Sequence, residues 1–438
     1  MKNSNTAGGA RLRDFFDAGS FVELGAYIER HNAENGAEGV VCGYGALEGR
    51  LVFAFAQDST LMKGALDGRH ADKIAMVYEK AMAVGAPVVG MFDSAGALVF
   101  DGAAALGGYA KLLRTVSAAS GVIPQIALIS GVCAGTMAAV AALFDFTVTV
   151  SGASKLYVNS PALVGEAVAT AEYAYEKRNA ALLTASEAEA FASIKRILFY
   201  LPDAAENGAP RVGSIDDINR AVSLAGRTTA AEALNAVADA GSLMPLYGGA
   251  APEVVSALAT LGGVAVAAVA LDGALTLAGI EKMRRAAVLA DTFGLPLVTL
   301  LNCSGLAAEP CEEAALADAM ARLADTLACS SNARISAVVG EAIGLGFILG
   351  SRSLGADLVL ALPEAEIAAL AAPAAVAFLW NDRITPALSR DALEKEWRET
   401  RATALAAAAT GEVDDVIEPA ELRARLIAGV YMLAGKKR

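Results

Sequence analysis

Histidine is nearly absent: the 438-residue chain has two, His31 and His70. Few reactions that need a protein general base can rest on so little imidazole. No HExxH, GxSxG or GxxxxGK[ST] occurs, so zinc protease, serine hydrolase and P-loop chemistry lack their motifs. Aromatic residues make up only 6%. The five cysteines (Cys42, Cys133, Cys303, Cys311, Cys329) fit neither a disulfide framework nor a CxxC metal site, so buried free thiols and no metal are expected. Positive charge is also short, and the net charge of −13 argues against wrapping nucleic acid. The polar first thirteen residues hold no apolar core, so no signal peptide is expected and the chain reads as cytoplasmic. The uncharged run from Ile126 to Phe144 has Gly131, Cys133, Gly135 and Thr136 in its middle, which predicts a strand, a glycine turn and a helix instead of a membrane span.

What is present is a composition 55% hydrophobic and rich in Ala and Gly, suited to helices lying close on a sheet. It is also an internal repeat. Gly64-Ala65-Leu66 and Gly273-Ala274-Leu275 are 209 residues apart, and so are Lys73 and Lys282, Gly85 and Gly294, Pro87 and Pro296, and Gly96 and Gly305. Asp93 faces Asn302, and Ala134-Gly135-Thr136 faces Ile343-Gly344-Leu345, at the same spacing. The chain is therefore expected to be two copies of one unit, residues 1–205 and 225–438, joined through Pro202–Ile218.

Each copy alternates short apolar runs with helical spacing. Asp67–Val84, Gly102–Ser117 and Thr136–Leu143 read as helices, and Val88–Phe92, Ile126–Ser130 and Phe146–Val150 as strands. This predicts an α/β fold with a largely parallel sheet. Arg390–Gly435 reads as a packed terminal helix pair.

In such folds ligands bind where strands end and helices begin. Two loops sit there, Asp93-Ser94-Ala95-Gly96-Ala97 and Gly131-Val132-Cys133-Ala134-Gly135-Thr136. Their small residues admit a ligand to the backbone, where N–H pairs could stabilise an enolate. The same glycines also serve close helix–sheet packing. Asp93 fits either a general base or a loop-capping carboxylate, His31 reads as a surface residue, and His70, on a charged helix start, as a capping or surface residue.

At these residues the sequence resembles the acyl-CoA carboxyltransferases, which include propionyl- and acetyl-CoA carboxylase β subunits and the carboxyltransferase subunits of sodium-pumping decarboxylases. The resemblance is carried by Gly19-Ser20-Phe21-Val22-Glu23, Phe55-Ala56-Gln57-Asp58, Gly64-Ala65-Leu66 through His70 to Lys73-Ile74, and Val84-Gly85-Ala86-Pro87-Val88. It continues through Asp93-Ser94, Gly96-Ala97, Gly107-Gly108-Tyr109, Ser120–Ile126, Cys133-Ala134-Gly135 and Asp145-Phe146. In the second half it rests on Gly294–Leu300, Leu354-Gly355-Ala356-Asp357 and Pro363–Ile367.

The resemblance implies two tandem crotonase-like domains of the ClpP/crotonase superfamily, the first taking acyl-CoA and the second biotin. It implies transfer of a carboxyl group between an acyl-CoA and biotin on a separate biotin carboxyl carrier protein, in a complex with a biotin carboxylase or a membrane decarboxylase subunit. A homodimer or dimer-based oligomer, with domains of two subunits facing each other, goes with it. Backbone N–H groups of Gly135 and Thr136 would hold the thioester oxygen, and those of Leu345 and Gly346 the biotin ureido oxygen. Ala95, Gly96, Ala97, Ala134 and Gly344 would line the cofactor sites. Lys73 is expected to meet the CoA phosphates, with Lys63, Arg69, Lys111 and Arg114 as further candidates.

The chain departs from the family pattern in several places, among them Ala368-Ala369 for a Met-Gly and Ala171–Ala181 for a Gly-Gly-Ala-x-x-His segment. Thr136 replaces a second glycine, Leu98 an arginine, Cys303-Ser304-Gly305-Leu306 a Pro-Gly-Phe loop, and Gly344-Leu345-Gly346 a Gly-Gly-Ala loop. Two other readings use the same residues: a biotin-independent crotonase-type acyl-CoA enzyme, and a non-catalytic CoA-binding scaffold subunit.

Overall fold

The computed structural model describes residues 6–28, 38–214, 216–224, 228–307 and 309–436. It divides into two compact units, Met1–Gly208 with Tyr247–Ala250, and Ala209–Leu246 with Ala251–Arg438.

The first unit holds strands β1 (Val22–Leu24), β2 (Val40–Leu47), β3 (Arg50–Gln57), β4 (Val88–Ser94), β5 (Gln125–Ala134), β6 (Phe146–Val150), β7 (Lys155–Tyr157) and β8 (Leu182–Thr184). Its helices are α1 (Ala7–Phe15), α2 (Gly68–Val84), α3 (Ala103–Ala119), α4 (Thr136–Ala142), α5 (Pro161–Val164), α6 (Ala171–Glu176) and α7 (Glu187–Tyr200). The sheet order is β1-β2-β3-β4-β5-β6-β8, with β7 paired to the far end of β5. The β1–β2–β3 edge is antiparallel and the rest is parallel.

The second unit repeats the plan. Its strands are β9 (Met244–Leu246), β10 (Val254–Leu261), β11 (Val264–Leu275), β12 (Leu297–Leu306), β13 (Arg334–Ile343), β14 (Leu358–Ala361), β15 (Glu366–Ala368) and β16 (Asp415–Val416). Its helices are α8 (Ala230–Val237), α9 (Leu277–Phe293), α10 (Glu313–Cys329), α11 (Leu345–Ile348), α12 (Ala372–Leu379), α13 (Arg390–Thr400), α14 (Ala404–Ala408) and α15 (Leu422–Met432). The order β16-β14-β13-β12-β11-β10-β9 mirrors the first sheet, and β15 pairs with β13 as β7 does with β5.

Local signals set these elements. Asp67 caps α2 by accepting the His70 N–H, and Gly85 ends that helix in the left-handed conformation; Thr276 and Gly294 do the same for α9. The middles of the central strands are buried apolar runs, such as Val88–Phe92 and Ile126–Ile129, with polar residues gathered mostly toward the strand ends. Each unit has its own core: Phe55, Phe92, Tyr78 and Phe144 in the first, Leu300, Ile335, Leu360 and Leu426 in the second. The run Ile126–Phe144 resolves into β5, a turn and α4, and among the described residues no helix is long and apolar enough to cross a membrane. The Arg390–Gly435 tail is not a helix pair. Between α13 and α15 lies β16, drawn into the sheet by its pairing with Leu360–Ala361.

Candidate active site

In the first unit the loop after β4 is docked by its own backbone. The Ala95 N–H donates to Lys63 O (2.9 Å), Leu66 N–H to Gly96 O (2.9 Å) and Leu98 N–H to Leu66 O (2.8 Å). The Gly96 N–H donates to Ser94 Oγ (3.2 Å). Alternation along this stretch turns the Ala97 N–H the other way, and among the described residues it meets no protein acceptor.

The neighbouring loop leaves β5 through Gly135, whose φ of 64° and ψ of −133° suit glycine alone. The Gly135 N–H donates to Tyr157 O on β7 (2.9 Å). Thr136, the first residue of α4, is exposed, and its N–H likewise meets no protein acceptor. The two loops touch: Ser94 pairs with Cys133 in register, and a Cβ on Gly96 would lie 3.8 Å from Ala134 O.

Asp93 braces both loops. One carboxylate oxygen accepts the Val132 N–H (3.2 Å) and the other the Ser59 hydroxyl (2.6 Å). Gly131 lies so close that a Cβ there would sit 2.3 Å from Oδ1. The carboxylate is thus a loop brace, the second of the two roles open to it from sequence.

The second unit builds the same turn. Gly344, at φ 54° and ψ −119°, donates its N–H to Ala368 O (2.9 Å), and Leu345 and Gly346 open α11. Gly346 is packed on Cys303, where burial pushes the thiol's pKa above its ordinary value. Asn302 takes the place of Asp93. Its Oδ1 accepts the Glu341 N–H (3.0 Å), while its Nδ2 donates to Asp272 (2.9 Å). Asp272 in turn holds the start of α8, accepting from Ala230 (2.7 Å) and Ala231 (3.0 Å). Asp58 does this in the first unit, accepting the Gly8 N–H of α1 (3.1 Å).

The carboxyl transferase domain model matches residues 8–438. The chain belongs to the carboxyl transferase family. It is 33% identical over 98% of its length to the carboxyltransferase subunit of propionyl-CoA carboxylase from Haloferax mediterranei, covering 90% of that protein. It is 30% identical, with the same coverage of each, to the methylmalonyl-CoA decarboxylase α subunit of Propionigenium modestum. The solved hexameric transcarboxylase 12S, with methylmalonyl-CoA bound, superposes with a TM-score of 0.91 at 28% identity, over 98% of this chain and 90% of that one. The two sheets are the tandem crotonase-like domains of such enzymes.

Within this carboxyl transferase several sequence-named residues need correction. Gly135 and Gly344 have their N–H groups engaged by Tyr157 O and Ala368 O, which leaves the N–H groups of Ala97 and Thr136 in one unit, and those of Leu345 and Gly346 in the first turn of α11 in the other, without a strand or loop carbonyl. The sequence places Ala97 among the binding residues but does not mark its N–H as open; the one-residue alternation between Gly96 and Leu98 is the signal for it. Ala95 and Gly96 shape the loop, but their N–H groups are likewise engaged.

Lys73 does not rim a pocket. It is fully buried, and its ammonium donates to Val40 O (2.7 Å). His70 is also fully buried, whereas the sequence reads it as a capping or surface residue; His31 lies outside the described residues. Lys63, Arg69, Lys111 and Arg114 are exposed, with Lys111 paired to Asp72. Lys63 is the best placed, since its carbonyl holds Ala95. Cys42, Cys133 and Cys303 are buried thiols, while Cys311 and Cys329 are exposed. Among the described residues no cluster could hold a metal ion.

Proposed function

We propose that the chain moves a carboxyl group between an acyl-CoA thioester, held by the first unit, and biotin on a separate carrier protein, held by the second. The observation that carries this reading is a pair of backbone N–H groups left open in each unit: Ala97 and Thr136 on the two neighbouring loops of the first, and Leu345, the repeat equivalent of Thr136, with Gly346 at the start of α11 in the second. The first pair would donate to the thioester oxygen as negative charge grows on it, and the second to the ureido oxygen. Gly346 fits the second role because it brings the α11 backbone close to β12 with no side chain between.

When bound, carrier-borne biotin supplies the carboxyl group and the base for the α-proton. The chain's own part is to hold, orient and polarise. This agrees with Asp93 being engaged as a brace and His70 being buried. Lys63 and Arg69 would meet the CoA phosphates. Val99, Phe100 and Leu163 are strongly exposed, as are Ile348 and Phe378 in the second unit; these apolar surfaces suit a dimer-based assembly. The carrier, and a biotin carboxylase or a membrane decarboxylase subunit, complete the complex.

The test is carboxyl exchange between methylmalonyl-CoA or malonyl-CoA and free biotin, catalysed by pure protein. Biotin-dependent loss of the carboxylated thioester is expected. Turnover indifferent to biotin would identify a different crotonase-type enzyme, and thioester binding without turnover a scaffold subunit.

A further inference from the structure

His70 is a buried titratable side chain with no part in the chemistry above, yet it is wired to the thioester loops. The wire is Gln57, the last residue of β3. Its Oε1 accepts the Asp93 N–H (3.1 Å), which fixes the amide orientation because a backbone N–H can only donate. Its Nε2 then carries two protons and lies 3.2 Å from His70 Nε2 and 3.8 Å from Met137 Sδ. Met137 follows Thr136 directly in α4. One amide therefore touches the Asp93 brace, the helix that starts at the thioester donor, and the imidazole.

The donor pattern dictates the state of His70. An amide NH₂ facing Nε2 requires that nitrogen to accept, so the ring proton sits on Nδ1, toward Glu38 Oε1 at 3.8 Å. A second ring proton would set N–H against NH₂. Flipping Gln57 would only move the clash to the Asp93 N–H.

The charged and titratable groups around the ring are Glu38 before β2 and Asp67 at the start of α2, which accepts the His70 backbone N–H (2.8 Å). Lys73 lies one turn along α2, the Cys42 thiol sits in the field of Lys73 and Glu38, and Asp93 lies beyond Gln57.

We propose that His70, in its neutral Nδ1–H form, is a positioning residue for the thioester site: through Gln57 it fixes the Asp93 brace and the start of α4. This rests on the reading of the first unit as the thioester side. Protonating the ring breaks one hydrogen bond of the relay and loosens the loops that carry Ala97 and Thr136.

The two-histidine composition makes the test direct. In a His31→Gln chain labelled with ¹⁵N-histidine, one imidazole remains, and its nitrogen shifts report the tautomer. A neutral Nδ1–H ring at pH 7.5 is expected; an Nε2–H or doubly protonated ring overturns the proposal. Hydrogen exchange at the Val132 and Gly135 amides should quicken about tenfold in His70→Leu and return toward wild type in His70→Gln, which keeps a neutral acceptor where Nε2 stood. Unchanged exchange in His70→Leu overturns it.

Propionyl-CoA affinity should follow exchange, falling about tenfold in His70→Leu with recovery in His70→Gln. Wild-type affinity should also weaken below neutral pH, where His70→Gln stays level. An identical pH profile for the two overturns the coupling. If the wild-type chain binds no propionyl-CoA, the thioester reading fails, while tautomer and exchange still decide the relay. Should His70→Leu not fold, Gln57→Leu cuts the same link from the other side.

Discussion

Gly346 packs against Cys303 so closely that a methyl group on Gly346 would lie 2.6 Å from both Cβ and Sγ. Real side-chain carbons do not approach so near, so any larger residue at 346 must push α11 off β12. Gly346→Ala should therefore lower biotin-dependent exchange about a hundredfold, the cost of roughly an ångström of misplacement. Binding of the thioester alone should be unchanged. Pairing it with Cys303→Gly, which clears both atoms, should restore much of the rate. Full activity in the single variant would remove Leu345 and Gly346 from the site.

Thr136 permits a cleaner deletion. As the first residue of α4 it stands where proline is well tolerated, and proline has no N–H. Thr136→Pro should lower kcat roughly a hundredfold or more with little change in folding, while Thr136→Ala, which keeps the donor, should stay near wild type. Equal rates in the two variants would place the thioester oxygen elsewhere.

Arg423 is the largest fully buried side chain of the second unit. It donates to the Val237 and Asp217 carbonyls and pairs with Asp239 at 2.8 Å and Asp216 at 3.2 Å. Arg423→Met strands the Val237 and Asp217 carbonyls and takes the buried cation from Asp239, which keeps the Gly262 and Gly263 N–H groups, while Asp216 keeps Arg220; the loss should be about 3 kcal/mol. Both tryptophans, Trp380 and Trp397, lie in this unit, so fluorescence-detected urea unfolding reads the loss there.

Asp145 gives the first unit a pH dependence. Its carboxyl group is buried although the residue keeps some surface, and burial pushes its pKa from 3.8 up to about 7, opposed by the Gln125 N–H at 2.8 Å. The folded state then holds a proton that the unfolded chain releases between those values, so stability falls as pH rises from about 4 to about 7. Asp145→Asn should flatten this profile, its advantage over wild type growing from pH 5 to pH 8. Hydrogen exchange of β5 and β6 amides reports this unit alone. A parallel decline in both proteins would assign the slope to other groups.

Much of this plan was legible because hydrophobic period and turn chemistry are local. Val88–Phe92 and Ile126–Ser130 are apolar runs too short for helices, and the spacing of 209 puts Asp93 opposite Asn302. Burial of charge was not legible. His70 and Lys73 sit among Asp67, Arg69 and Asp72, a pattern that reads as a solvated helix start; only the distant Gln57 and Val40 reveal where they point. The engagement of Gly135 was hidden for a similar reason. Tyr157 reaches it through a strand pairing that no periodicity near Gly135 announces.

Lys73 and Lys282 are both buried at matching places, and each holds a main-chain carbonyl, Val40 O at 2.7 Å and Ala251 O at 3.3 Å. No proposed ligand contact involves either. A neutral replacement would strand a carbonyl in the interior, so folding alone is enough to account for both lysines. The repeat is thus written into the interior as well as the loops: two cations sealed from solvent, 209 residues apart, each tying its helix to the main chain, would keep the two halves recognisable whatever the loops around the ligands became.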